Sequence, residues 1–139
     1  MGLFELWQNN FQIMNSEELK QRTMQFAFRS VVFVKSLSYD MATNVMAKQF
    51  LRSATSVAAN YRAASRSRSR AEFLAKISIV VEESDESLFW LELLHKCETN
   101  ESKALPSLLQ EAKELVYIFS KSCKSTRDNI NISKNNSMK

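Results

Sequence analysis

The chain of 139 residues contains one glycine and one proline, and this scarcity limits its possible folds more than any other feature. Tight β-hairpin turns and phosphate-cradling loops need glycine wherever the backbone dihedral φ must be positive. The glycine is Gly2, so the sequence excludes a P-loop, a Rossmann fingerprint and most β-sandwich or β-barrel folds. Long helices joined by short turns remain, and the chain is long enough to bury a hydrophobic core.

Helical periodicity predicts two helices in the first half of the chain. Asn15 followed by Glu18 forms a capping-box pattern, and an apolar stripe with helical spacing then continues to Leu37. A second stripe predicts a helix that begins near residues 43–44 and continues to Ala64. This second helix is rich in small side chains, which allow a neighbouring backbone to approach closely.

Two further helices are predicted in the second half. The sequence Ser69-Arg-Ala-Glu72 is a capping box ahead of an apolar stripe, and the helix it opens is expected to end near Asn100. The fourth helix is predicted to begin near Leu105, with Pro106 in its first turn, where the missing N–H costs nothing.

The predicted architecture is all-α, an antiparallel up-down four-helix bundle spanning residues 15–125. Residues 126–139 are polar and aperiodic, so they are predicted to be a disordered tail. Residues 1–14 are predicted to be an N-terminal arm, in which Phe4, Trp7, Phe11 and Met14 fall on one helical stripe.

No catalytic or metal-binding pattern is recognisable among the titratable residues. Glu92 and His95 have the Glu-x-x-His spacing of di-iron bundles, but such sites need a second Glu-x-x-His, and His95 is the one histidine of the chain. The sequence therefore predicts no metal, no cofactor and no enzyme activity. A small-molecule enzyme that uses the third-helix carboxylates stays open as an alternative.

The compartment prediction depends on cysteines and apolar runs. Cys97 and Cys123 fit no metal or redox motif and are interpreted as reduced thiols. No apolar run approaches the roughly 20 residues of a membrane span, and the opening residues lack a basic signal-peptide region. The prediction is a cytoplasmic protein without a membrane partner.

Charge is unevenly distributed over the second and third helices. Residues 48–76 carry seven basic side chains and one acidic, whereas residues 77–101 carry seven acidic and one basic. If the second and third helices are antiparallel neighbours, some of these opposite charges would form ion pairs between them. Arg52 with Glu82 or Glu86 is the predicted interior ion pair, whose loss should cost about 3–5 kcal/mol.

Four arginines crowd the predicted junction between the second and third helices: Arg62, Arg66, Arg68 and Arg70. Arginine pairs bidentately with phosphate, and the interleaved serines add neutral donors. With Lys76, these residues are the candidate nucleic-acid contacts. The alternative is a solvated basic turn, and the net charge of +4 does not decide between the two.

The segment 88–94 has six apolar residues of seven, more than one helix face can hold. Either this helix is buried all round or one of its faces meets another subunit. The predicted oligomer interface consists of Leu88, Phe89, Trp90 and Leu93. Residues 26–34 of the first helix repeat the same signal.

Residues 18–27, 49–64, 71–77 and 82–94 together resemble a bacterial four-helix-bundle family. That family includes proteins encoded in intervening sequences of 23S rRNA genes and the accessory variability determinant of diversity-generating retroelements. The resemblance covers roughly residues 16–125. It implies a homopentameric ring and, for the retroelement branch, a basic surface that binds nucleic acid and a partner reverse transcriptase.

The leading hypothesis is therefore a non-enzymatic, homo-oligomeric accessory protein that binds RNA or DNA. Its affinity would fall with salt and show little base specificity. The rival hypothesis is a protein–protein interaction scaffold whose basic turn is only solvated surface.

Overall fold

The computed structural model describes residues 15–97 and 102–139, and this part of the chain contains four helices. They are α1 (Ser16–Lys35), α2 (Met41–Ala64), α3 (Arg70–Cys97) and α4 (Ala104–Ser137). The predicted all-α four-helix bundle is confirmed. The predicted arm at residues 1–14 and the predicted end of the third helix near Asn100 lie outside the described residues.

Each helix packs mainly on its neighbours in sequence. α2 lies against α1 and α3, and α3 lies against α4, whereas α1 and α4 touch only sparsely. The start of α1, residues 65–69 and the second half of α4 meet at one end of the bundle, which we call the junction end. The α1–α2 loop, the end of α3 and the start of α4 belong to the opposite end.

The core is filled by the predicted helical stripes. Phe50 of α2 packs edge-on against Phe26 and Phe33 of α1, with ring centroids 6.3 and 6.1 Å apart. Tyr61 of α2 reaches Phe119 of α4, with ring centroids 5.2 Å apart. Such edge contacts add to the stabilisation from apolar burial. The core therefore joins α1, α2 and α4 through large aromatic side chains.

A polar network spans the sparse α1–α4 contact. Arg22 of α1 lies 2.5 Å from a carboxylate oxygen of Glu111 and 3.5 Å from one of Glu114 on α4. Arg29 of the same helix donates to Ser107 Oγ at 2.6 Å. Charge-assisted hydrogen bonds thus join α1 and α4, the two neighbouring helices that pack least against each other.

The helix starts follow the capping chemistry of the sequence, with one correction. The predicted capping box at Asn15 and Glu18 is present, because the Asn15 side chain accepts from the Glu18 N–H at 2.9 Å. α2 begins at Met41, earlier than the predicted residues 43–44. Asp40 is the reason: its carboxylate accepts from the Thr43 N–H at 2.7 Å and caps the helix.

The C-terminal segment also differs from its prediction. The last buried side chain of α4 is Cys123, but the helix continues to Ser137 through residues predicted to be a disordered tail. No glycine or proline follows Pro106 to end it. Extending an existing helix is far easier than nucleating one, so the packed part of α4 propagates into the polar segment.

Candidate nucleic-acid interface

The junction between α2 and α3 is fixed by hydrogen bonds rather than by glycine. Ser69 Oγ accepts from the Glu72 N–H at 3.1 Å, which is the first half of the predicted capping box. The return bond differs from the prediction, since Glu72 accepts from the Arg68 N–H at 3.2 Å instead of from Ser69. No residue of the described chain has a positive φ. The turn is therefore held in ordinary backbone conformations.

All four junction arginines are exposed. The side chain of Arg68 is 91% exposed, and its Nε lies 3.8 Å from Glu72, the outer limit of an ion pair. Arg62, Arg66 and Arg70 are exposed and form no ion pair within the described residues. Four guanidinium groups thus face solvent around one turn.

Lys76, the fifth predicted contact, is held in an ion pair on its own helix. Its ammonium nitrogen lies 2.9 Å from a carboxylate oxygen of Glu72, one helical turn earlier. This hydrogen bond is the main cause that lowers the pKa of Glu72, and the Arg68 N–H acts in the same direction. Because Glu72 partly neutralises Lys76, the four arginines form the core of the candidate site.

Two grooves divide the arginines between two sides of the bundle. Arg62 and Arg66 line a groove between α1 and α2, together with Lys20 and Met24. Arg68 and Arg70 line a second groove at the junction end, between the start of α1 and α4. Cationic side chains therefore flank the bundle end on both sides.

The α4 extension adds cations that the sequence prediction did not include. Lys134 and Arg70 line the same shallow surface depression, so α4 passes beside the junction. Lys20, on α1, lies in the groove with Arg62 but also pairs with Glu17 at 2.8 Å. Residues 126–139 are interpreted as aperiodic in the sequence prediction. Cys123, Thr126 and Ile130 nevertheless keep helical spacing, and this spacing is the signal that could have revealed the extension.

The predicted ion pair of Arg52 is present in altered form. Arg52 lies 2.6 Å from Glu86, as predicted, and 3.3 Å from Glu83 rather than from Glu82. The Arg52 side chain is 47% exposed, so the prediction of an interior pair is wrong. The hydrogen bond to Glu86 is the main cause that raises the pKa of Arg52, and the same bond lowers the pKa of Glu86.

The predicted interface residues divide into two groups. Leu88, Trp90 and Leu93 pack partly against the core. Phe89 is 53% exposed and stacks edge-on against Trp90. The larger exposed apolar stripe lies on α1, where Met24, Phe28 and Val32 are each more than half exposed at four-residue spacing. This stripe follows the signal that the sequence showed over residues 26–34.

The described residues form neither a metal site nor a membrane span. No cluster of three histidine, cysteine or acidic residues in residues 15–97 and 102–139 could hold a metal ion. Glu92 and His95 are both exposed. Cys97 is exposed and Cys123 is buried, and both are free thiols. None of the described helices is long and apolar enough to cross a membrane.

Comparison of the sequence with known protein families identifies the family of this chain. The family model for the 23S rRNA-intervening sequence protein matches residues 16–135. The chain belongs to this family. The match extends ten residues beyond the region of resemblance noted from the sequence, into the α4 extension. No curated protein matches the chain.

A solved structure is similar to this member of the 23S rRNA-intervening sequence family. It is a protein of unknown function from the S23 ribosomal protein family of Bacteroides thetaiotaomicron. The two chains share 34% sequence identity with a TM-score of 0.70, and the match covers 80% of this chain and 99% of the other.

Proposed function

We propose that this protein is a non-enzymatic RNA-binding accessory protein that contacts phosphates through its α2–α3 junction. The observation that carries the proposal is the exposure of Arg62, Arg66, Arg68 and Arg70 around a single turn. Of these, only Arg68 has a carboxylate within ion-pair distance among the described residues. Guanidinium groups bind phosphate oxygens bidentately, which suits a cluster in which three of the four arginines form no ion pair among the described residues.

RNA is the favoured nucleic acid because the family's description names 23S rRNA. Contacts to phosphates position a protein on nucleic acid without reading its sequence. Binding through these arginines is therefore tolerant of base sequence and weakens as salt is added. A reverse transcriptase partner, which the resemblance to the retroelement family implies, is not needed for this activity.

Self-association is the second part of the proposal. Met24, the first residue of the exposed α1 stripe, lines a groove with the cations Lys20 and Arg62. Exposed Phe89 lies on α3 among acidic residues at positions 82–92. Apolar surface with opposite flanking charge favours a head-to-tail contact between copies, which closes into a ring when the rotation between subunits permits. In a ring the arginine turn recurs once per subunit, and binding gains from multivalency.

The test of RNA binding compares two triple variants with the same change in charge. In the first, Arg66, Arg68 and Arg70 are replaced by Gln at the junction end. In the control, Lys35, Lys96 and Lys103 are replaced by Gln; these exposed lysines lie near the opposite end. Affinity for a structured RNA is measured by fluorescence polarisation over a series of salt concentrations.

The junction variant should bind more weakly, and its plot of log affinity against log salt should lose roughly 0.7–0.9 of slope per phosphate contact removed. The control should keep most of its affinity and slope, and both variants should keep their melting temperatures. Equal losses of affinity in the two variants would show that RNA binding depends on net charge rather than on the junction arginines. Unchanged binding in the junction variant would show that the arginine turn is not the RNA interface, and absence of binding by the unaltered protein would leave the scaffold hypothesis in its place.

A further inference from the structure

The groove at the junction end has an apolar lining that phosphate binding at the exposed arginines would not use. We call it the junction groove; it has a volume of about 700 Å³, within the range of small-molecule sites. Part of its lining is apolar and comes from Leu19, Ala64 and Phe73. Leu19 and Ala64 are buried, whereas Phe73 is half-buried. The groove therefore offers an aromatic and aliphatic surface beside the arginine turn.

The polar lining of the junction groove favours an anion. Arg68 and Arg70 are its charged residues, and no described lining residue carries a carboxylate. The Ser69 hydroxyl and the Asn129 amide supply neutral donors. Burial raises the pKa of the Tyr61 phenol, so this lining residue stays uncharged. An anionic group in the groove would meet cations and donors without a facing negative charge.

Ser67 supplies a separate observation. Its Oγ atom is buried and has no hydrogen-bond partner within the described residues, although Ser67 lines the junction groove. A buried hydroxyl without a partner is unfavourable, and such groups are uncommon in folded proteins. Rotation of the Ser67 side chain would bring this hydroxyl to the groove surface, where an acceptor oxygen of a ligand would satisfy it.

We propose that the junction groove binds one unpaired nucleotide of a single-stranded RNA. Arg68, Arg70 and Ser67 hold its phosphate, and Phe73 and Leu19 contact its base. A paired base is stacked inside a duplex, so only an unpaired base can enter a groove and lie against an aromatic ring. This inference rests on the proposed function and narrows its substrate class, since the exposed arginines alone would bind duplex and single strand alike.

A matched pair of variants on α4 tests this proposal. Asn129 lines the junction groove, whereas Asn131, two residues later on the same helix, does not; both are exposed. Asn129→Glu places a carboxylate in the groove, and Asn131→Glu makes the same charge change outside it. The full chain is titrated with a labelled oligouridylate and with a duplex of oligouridylate and oligoadenylate of equal length.

The unaltered protein should bind the oligouridylate more tightly than the duplex. Asn129→Glu should weaken oligouridylate binding by about threefold or more relative to Asn131→Glu, because like charges a few ångströms apart repel even in water. For the duplex, the two variants should behave alike. Ser67→Ala should lower oligouridylate affinity while the melting temperature stays constant or rises, because an unpartnered buried hydroxyl is removed.

The outcomes separate this inference from the proposed function. Absence of binding to both probes would overturn the RNA-binding proposal and the groove proposal together. Equal affinity for the two probes, with Asn129→Glu and Asn131→Glu indistinguishable, would overturn the groove proposal and leave the exposed arginines as the interface. A Ser67→Ala variant that loses stability but keeps affinity would also contradict a ligand role for Ser67.

Discussion

Ser87 Oγ of α3 lies 3.0 Å from Ser53 Oγ of α2, inside the core where both residues are fully buried. Each hydroxyl also reaches a carbonyl of its own helix, Glu83 O from Ser87 and Phe50 O from Ser53. The two small side chains let α2 and α3 approach closely without leaving a buried polar group unsatisfied. This contact gives a structural reason for the small residues of the second helix.

The close α2–α3 contact predicts that the fold is more sensitive to the size of residue 53 than to its polarity. Ser53→Leu should destabilise the fold by about 1–3 kcal/mol, because extra volume in a packed core forces strain. Ser53→Ala should cost about 1 kcal/mol or less, since Ser87 keeps its bond to the Glu83 carbonyl. Urea unfolding of both variants measures the difference, and a Ser53→Leu variant as stable as Ser53→Ala would contradict the close contact.

The exposure of Arg52 changes the expected cost of removing it. Arg52→Ala should destabilise the protein by less than about 1 kcal/mol, as exposed ion pairs contribute little. Arg22→Ala is the informative comparison, because Arg22 and Glu111 are each no more than 20% exposed and span the sparse α1–α4 contact. Chemical unfolding should show the larger loss for Arg22→Ala. The reverse order would place the stabilising pair at Arg52.

The Arg52–Glu86 pair also predicts a pH dependence. The pKa of Glu86 is lowered in the folded protein, chiefly by its hydrogen bond from Arg52, whereas the unfolded value lies near 4.5. Its stabilisation is therefore present above pH 4.5 and is lost as the pH falls through the folded pKa. Glu86→Gln should flatten the acid limb of a stability–pH profile by less than about 1 kcal/mol. Glu92→Gln, an exposed change on the same helix, serves as the control.

Much of the fold could be predicted because helical spacing and caps are local properties. Leu19, Phe26 and Phe33 are buried at the positions that a helical period of 3.6 residues requires. The partner of Arg52 was harder to assign, because α3 is apolar on more than one face and its rotation about its axis is not fixed by the pattern. Glu82 and Glu83 differ by about 100° around a helix, and only packing decides which one faces α2.

The junction site was predictable in part for the same reason. Arg62, Arg66, Arg68 and Arg70 stand close together in sequence, so their proximity needed no tertiary information. The junction groove does need it, because Leu19, Phe73 and Asn129 come from three different helices. Lys134 was missed because the polar composition after Cys123 was interpreted as disorder.

The extension of α4 gives a prediction about local stability. Residues 127–137 are mostly exposed and make few core contacts, so their amides should exchange with solvent much faster than those of residues 108–123. Asn131→Pro should reduce the helical circular-dichroism signal while leaving the free energy of unfolding within about 0.5 kcal/mol of that of the unaltered protein. A Pro variant with an unchanged signal would show that this segment is not helical in solution.

The proposed head-to-tail contact predicts how single substitutions affect assembly. Phe28 is 60% exposed and Phe89 is 53% exposed, so Phe28→Ser and Phe89→Ser should preserve the fold. If the α1 stripe of one subunit covers Phe89 of the next, each interface contains one Phe28 and one Phe89. In a ring whose subunits all carry the same substitution, either change therefore weakens every interface. Light scattering should then show mass well above 16.0 kDa for the unaltered chain and a shift towards monomer for each variant.

A mixture of the two variants distinguishes this contact from a symmetric one. Phe28→Ser keeps an intact Phe89 surface, and Phe89→Ser keeps an intact α1 stripe, so one undamaged interface can form between unlike subunits. The mixture should therefore yield dimers that neither variant forms alone, and no ring, because the next interface contains both changes. In a symmetric contact between two α1 stripes, Phe89→Ser would dimerise by itself and mixing would add nothing. A monodisperse monomer for the unaltered chain at micromolar concentration would contradict both arrangements.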